Sequence, residues 1–295
     1  MSRFAFTRRS LLASILAGVT LVPALPVSAQ EAPQRIVSIG GAVTEIVFAL
    51  NQQHRLVARD TTSVYPAEAE LLPDVGYIRQ LSPEGVLSVR PDMILTEDGA
   101  GPPEAVELLQ HAGLPFVVIP QGYDGATILA KIRAVGAALG VPAEAEALAA
   151  RTRTALEEAT AGEGAAGKRV LFVLSVQGGR IMASGTGTAA DGIIRMAGAE
   201  NAIGDFPGYK MLTDEAITAA APDVILLMEN GGGDHAALPE KLLAMPAVAA
   251  TPAGQARAFV SMDGMYLLGF SVRTPDAVRD LVAALTAAPA AVAGN

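Results

Sequence analysis

Short β-branched runs alternate with stretches of helical apolar spacing along most of the chain. Arg35-Ile36-Val37-Ser38-Ile39 is one such run, ended by Gly40-Gly41, and the segment from Ala42 to Leu50 follows with its apolar residues at helical spacing. Leu56-Val57-Ala58 reads as a second strand that enters the turn-rich Asp60-Thr61-Thr62-Ser63 segment. Met93-Ile94-Leu95-Thr96 and Phe116-Val117-Val118-Ile119 are compact apolar runs bounded by Pro or Gly, with a helix expected from about Glu104 to Ala112 between them. Alternation of this kind predicts α/β units around buried, mainly parallel strands.

The second half repeats the plan, beginning with Arg169-Val170-Leu171-Phe172-Val173-Leu174. A local duplication is the strongest sign: Leu81 to Leu95 matches Leu212 to Leu226 at six of fifteen positions, with a constant offset of 131 residues. Each copy reads as a helix, a Pro-Asp turn (Pro91-Asp92, Pro222-Asp223) and a core strand, and each follows a Gly-Tyr pair, Gly76-Tyr77 and Gly208-Tyr209. Between the copies lies an Ala-, Leu-, Glu- and Arg-rich stretch in which one helix is expected before Gly140 and a longer one over 142–161, with Pro142 in its first turn. At 1.5 Å per residue such a helix is about 30 Å long, enough to strut two lobes, although an ordinary surface helix has the same pattern. The expected architecture is therefore α/β, with two similar lobes of mainly parallel sheet and a long helix between them; the resemblance given below implies that this helix is rigid and that a ligand cleft lies between the lobes. The lobes are placed at 30–141 and 168–295, with a flexible exit at 162–167.

Residues 1–29 stand apart. Arg3, Arg8 and Arg9 precede a mostly apolar run from Leu11 to Leu25, and Val27-Ser28-Ala29 offers the small residues of a cleavage site. The run is broken by Gly18, Pro23 and Pro26 and falls short of the roughly 20 residues that cross a bilayer, so a cleaved export signal is expected, cut after Ala29. Thr7-Arg8-Arg9-Ser10-Leu11-Leu12 also has the look of a twin-arginine signal. The chain has no cysteine, hence no disulfide framework and no thiol to acylate, and a periplasmic location without stable membrane insertion fits best. The formal charge of −9 becomes about −12 once the three signal arginines are removed, which argues against nucleic acid as a partner.

The search for catalytic groups returns little. There is no Gly-x-Ser-x-Gly elbow, no His-Glu-x-x-His and no phosphate loop, and Gly185-Thr186-Gly187-Thr188 lacks the lysine such a loop needs. His54, His111 and His235 are scattered in polar or helical surroundings and read as solvent-facing. The informative stretch is Leu72 to Gly85, where Tyr77 follows a glycine in a turn-prone connection just before a helix. In extended backbone Tyr77 and Arg79 would project to one side, and a guanidinium near a phenol favours the phenolate, a hard oxygen ligand suited to ferric iron. By chemistry alone a packed aromatic remains the commoner role for such a tyrosine.

Asp74-Val75-Gly76-Tyr77-Ile78-Arg79-Gln80-Leu81-Ser82-Pro83-Glu84-Gly85 resembles the segment that carries the haem-ligating tyrosine in the periplasmic haem-binding proteins of bacterial ABC importers. The chain is similar to that family also at 36–46, at Pro207-Gly208-Tyr209-Lys210-Met211-Leu212 and at 262–270. The resemblance implies a haem carrier, not an enzyme, that loads haem (hemin) in an interlobe cleft and docks as a monomer on a two-fold ABC permease with its ATPase subunits. It implies Tyr77 as the axial iron ligand, with Arg79 facing the phenolate or a propionate. Tyr209 and Lys210 are implied on the opposite wall, Arg273 as a second propionate contact, and Glu84 and Glu215 as the docking carboxylates, one per lobe. Two features depart from the pattern: no histidine lies in 173–179, and Glu229-Asn230 stands where some relatives have an arginine, so five-coordinate iron is expected, with Met182 and Met211 more naturally packed than ligating. A ferric siderophore or cobalamin in the same fold, or an exported enzyme, are the other readings.

Overall fold

The computed structural model describes Met1, residues 32–229 and residues 237–290. The expected export signal and its cut after Ala29, together with Asn230 and His235, lie outside the described residues. Ala32–Asn295 forms one compact unit.

The first half is built from β1 (Ile36–Ile39), α1 (Gly41–Ala49), β2 (Leu56–Arg59), α2 (Pro83–Ser88), β3 (Met93–Glu97), α3 (Pro103–Gln110) and β4 (Phe116–Ile119). Its strands form a four-stranded parallel sheet in the order β2-β1-β3-β4. Every residue of β1 is buried, as expected for a central strand covered on both faces. Two helices follow, α4 (Gly125–Leu139) and α5 (Pro142–Ala159). Asp124 caps α4 by accepting from the Thr127 N–H at 2.7 Å, Gly140 ends it at φ +74°, and Pro142 opens α5. The two helices meet closely: a Cβ on Gly136 would fall 2.1 Å from that of Ala145.

The second half comprises β5 (Arg169–Gln177), β6 (Arg180–Ser184), α6 (Ala189–Met196), β7 (Glu200–Asn201), β8 (Tyr209–Met211), α7 (Asp214–Ala220) and β9 (Val224–Glu229), then short helices, β10 (Phe259–Asp263) and a closing helix Thr274–Ala287. Its sheet runs β10-β9-β5-β6-β8, with β7 beside β5. The β10-β9-β5 part is parallel, whereas β6 and β8 are antiparallel additions, so this sheet is mixed where the apolar pattern alone suggested a second mainly parallel one. The cause is local: Gly178 and Gly179, at φ +56° and +74°, turn β5 straight back into β6 as a two-residue hairpin.

The duplicated segments adopt the same structure. The hydroxyls of Ser82 and Thr213 cap α2 and α7 by accepting from Gly85 N and Ala216 N. Asp92 accepts from the Gln34 and Arg35 N–H groups and Asp223 from that of Arg169, so each Pro-Asp turn holds the entry to the first strand of its half. Arg35 and Arg169 in turn donate to carbonyls at the ends of α2 and α7, including Val89 O and Ala220 O. Arg90 and Ala221, which correspond in the alignment, both adopt left-handed backbone at φ 50° and 39°.

One apolar cluster runs through both halves, from Ile36, Val43 and Ile46 through Ile132 and Leu148 to Phe172, Ile193 and Leu281. The long helix α5 packs on α4 and on the closing helix. A polar contact reinforces this core. Glu45 of α1, almost fully buried, accepts from the Ser271 hydroxyl and the Arg273 guanidinium, both from the second half. Arg273 also lies over the rings of Tyr65, at 3.8 Å, and Tyr266, at 5.1 Å. Burial pushes the Glu45 carboxyl above its ordinary value, with Arg273 and Ser271 opposing.

Two stability measurements test these assignments. Ala221→Gly removes left-handed strain and is expected to stabilise the protein by about 0.5–1 kcal/mol in urea unfolding. Arg273→Ala strands the Glu45 carboxylate and is expected to cost about 3 kcal/mol at neutral pH. Because the folded Glu45 value is raised, that deficit should be small below the ordinary carboxylate range and grow as pH rises through the elevated value. A pH-independent deficit would contradict the assignment.

Candidate functional site

The loop that carries Tyr77 is an extension of the first sheet. Residues 73–76 run alongside the end of β2, with Arg59 N donating to Pro73 O and Val75 N to Arg59 O, both at 2.9 Å, and Thr61 N to Gly76 O at 3.0 Å. Tyr77 then begins a turn closed by Gln80 N donating to its carbonyl at 2.8 Å. Ile78 is buried beneath the turn, its carbonyl accepts from Gly101 N at 2.9 Å, and Leu81 N donates to Gly101 O at 2.8 Å. The extended backbone expected here is thus replaced by a turn. The turn still leaves Tyr77 41 % exposed and Arg79 exposed, on either side of a buried anchor.

Both side chains line an open cleft together with Gln121, Tyr123, Met265 and Phe270. The wall thus comes from both halves of the chain. Close backbone approach makes this possible: a Cβ on Gly192 of α6 would lie 2.5 Å from Tyr123 O, and one on Gly41 would lie 2.8 Å from Thr62 O. Tyr123 meets Phe270 edge-on at 5.3 Å. At the inner end of the cavity Lys131, 1 % exposed, is paired with Glu97, 12 % exposed.

Among the described residues Arg79 has no carboxylate within ion-pairing distance, and no hydrogen bond joins it to the Tyr77 hydroxyl. Its charge is felt instead by two other phenols. Burial raises the Tyr123 hydroxyl above its ordinary value, with Arg79 opposing and Glu97 adding. Tyr209, from the second half, is likewise raised by burial, while the nearby Thr188 hydroxyl and Arg79 pull the other way. Tyr209 remains 37 % exposed and its ring is tilted against Phe172 at 6.5 Å.

The other expected site residues are placed differently. Lys210, next to Tyr209 in β8, points to the opposite face by strand alternation and lies over the Phe206 ring at 4.9 Å. Arg273 is committed to Glu45 and two aromatic rings and does not line the cavity. Glu84 and Glu215 are exposed in the first turns of α2 and α7, and the Glu215 carboxyl is held below its ordinary value by its own backbone N–H and the Thr213 hydroxyl. Met182 and Met211 face each other across β6 and β8, and His54 and His111 are exposed. No cluster of three or more His, Cys, Asp or Glu suited to a metal ion occurs among the described residues, and no helix among them is long and apolar enough to cross a membrane.

Tyr123, Gln121, Met265 and Phe270 line the cavity without standing out in the sequence as site residues. A signal existed for Tyr123, since Gly122-Tyr123 is a third Gly-Tyr pair that precedes a helix, and Met265 and Phe270 lie in the 262–270 segment noted for its resemblance but given no role. The chemistry on offer is that of a receptor: a phenol oxygen, an unpaired guanidinium, and an aromatic and thioether wall suited to a flat apolar ligand that bears acidic groups.

Comparison with known proteins agrees. The chain is 42 % identical to the periplasmic heme-binding protein BhuT, solved in complex with two hemes, over 85 % of this chain and 97 % of that one, with a TM-score of 0.80. It is 33 % identical to a periplasmic heme binding protein from Pseudomonas aeruginosa, over 88 % and 95 % of the two chains, with a TM-score of 0.78. Of two curated relatives that it matches, the chain spans 66 % and 73 % of the length. The second is the Vitamin B12-binding protein of Pectobacterium carotovorum, 27 % identical over 207 residues, or 68 % of this chain. With residues 36–266 matching its family profile, the chain belongs to the periplasmic binding protein family.

Proposed function

We propose that the protein captures haem outside the cytoplasmic membrane and hands it to an ABC permease and its ATPase subunits for import. The observation that carries this reading is Tyr77, held out into the cavity by a pinned turn with the unpaired Arg79 two residues on. The chain's 42 % identity to a protein solved with two hemes supplies the ligand class. Ferric iron takes the Tyr77 oxygen as a phenolate, which requires the hydroxyl to release its proton on binding. Arg79 offers its guanidinium to that phenolate or to a propionate. Tyr123, Phe270 and Met265 supply apolar surface for the porphyrin.

Five-coordinate iron is the proposed state, because neither His54 nor His111 lines the cavity. Export is proposed to depend on residues 1–29, with cleavage after Ala29, and the protein to act as a monomer. Capture and release, without turnover, is the whole of the activity. Glu84 and Glu215 occupy equivalent exposed positions on α2 and α7, which makes them the natural pair for docking one lobe on each permease subunit. A corrinoid or ferric siderophore in the same cleft is the second reading, favoured by the likeness to a Vitamin B12-binding protein. The absence of tryptophan weakens a stacking platform for a large corrinoid.

Titration of the purified protein with hemin is expected to give a Soret band with a high-spin ferric tyrosinate spectrum, and Tyr77→Phe to abolish or shift it. An unchanged spectrum in the variant would remove Tyr77 from the role, and displacement of hemin by cobalamin or a siderophore would favour the second reading. Glu84→Ala and Glu215→Ala together should slow haem delivery to the reconstituted permease by about tenfold at low ionic strength and less at high salt. Equal delivery rates at both salt concentrations would refute the docking pair.

A further inference from the structure

We propose that Asp74 is a positioning residue, a carboxylate clamp that fixes the Tyr77 turn and so sets how firmly haem is held; this rests on the haem reading above. Three donors converge on it. Its Oδ1 accepts from Gly76 N at 2.8 Å and from the Thr61 hydroxyl at 3.3 Å, and its Oδ2 accepts from the Arg59 guanidinium at 2.9 Å. The first of these bonds folds the chain into an Asx turn immediately before Tyr77. Gly76 completes that turn at φ +102°, a conformation open to glycine, although the space around it is free. The other two tie the turn to the end of β2 in addition to the backbone pairing of residues 73–76.

The anchorage continues inward. Arg59 is largely buried and also donates to Asp60 O at 3.1 Å. Asp60 is fully buried and accepts from Gly40 N at 2.9 Å and from the Ser63 and Thr62 hydroxyls at 2.7 Å each. Thr44 links Ser63 to Ser38 of β1 through hydroxyl contacts of 2.7 and 2.6 Å. A hydrogen-bonded path therefore leads from the central strand through Asp60 and Arg59 to Asp74 and ends three residues before Tyr77. Thr62, held in this path, itself lines the cavity. Among the described residues no hydrogen bond restrains the Tyr77 side chain, whose backbone turn sits over buried Ile78 while the ring lines the cavity, 41 % exposed. Outer partners that orient a metal ligand typically alter affinity by about 10- to 100-fold when removed.

The test compares the full-length wild-type protein with Asp74→Asn, Asp74→Ala and Tyr77→Phe. Hemin transfer to apomyoglobin gives the release rate, the absorption spectrum reports the tyrosinate, and thermal melting reports stability. Asp74→Ala is expected to release hemin about 10- to 100-fold faster with a perturbed tyrosinate spectrum. Asp74→Asn keeps an oxygen for Gly76 N and Thr61 but loses the ion pair with Arg59, so it should fall between Asp74→Ala and wild type. Wild-type release and spectrum in Asp74→Ala would overturn the proposal, even if the melting temperature fell. Should Asp74→Ala not fold, Asp74→Asn decides alone, and wild-type behaviour in it is the overturning result. Failure of the wild-type protein to bind hemin is a separate outcome that removes the haem reading and the clamp with it.

Discussion

The structure depends on one continuous apolar core that neither sheet could build alone. β1 and β5 each bury their strands against helices of their own half, yet α4, α5 and the closing helix are shared between them. The close approach at Gly136 and Ala145 lets α4 and α5 act as a single layer, and burial of that layer joins the halves. Glu45 adds direction to this non-directional packing, because its buried carboxylate is satisfied only when Ser271 and Arg273 arrive from the other half. The cavity lies where this shared core stops and two sets of loops face each other.

Charge near that cavity is arranged by the same need to satisfy buried groups. Lys131 answers Glu97, Arg59 answers Asp74 and Arg273 answers Glu45, so each of these cations is used by the fold itself. Arg79 is the exception in the cavity wall, exposed on its turn and without a carboxylate partner among the described residues. In a chain of net negative charge, an unpaired guanidinium in the cavity wall favours an acidic ligand over a neutral one. The phenols of Tyr123 and Tyr209, raised by burial, surround it with hydroxyls that stay protonated at neutral pH.

Much of this was legible in the chain itself. The runs beginning at Ile36, Met93, Phe116 and Arg169 became strands, Pro142 opened the long helix, and the repeated Pro-Asp turns became matching clamps at Asp92 and Asp223. Tyr77 and Arg79 were found from a local segment, and they do share a cavity, though through a turn and not through extended backbone. Lys210 and Arg273 were placed at the site because their segments were, yet one points to the far face of β8 and the other is consumed by Glu45. A segment can be located from its neighbours along the chain, but the direction of a side chain and its final partner cannot.

The sequence by itself determined the alternation of strands and helices, the local duplication between the two halves and the acidity. Local chemistry suffices for these, since apolar period, turn residues and side-chain type act over a few positions. Only the tertiary structure decided that the second sheet is mixed, that Tyr123, Met265 and Phe270 join Tyr77, and that Arg79 reaches the cavity wall without a carboxylate partner among the described residues. Those outcomes depend on pairings such as Glu45 with Arg273, 228 residues apart, and an apolar or charged position announces that it needs a partner without saying which one it will find.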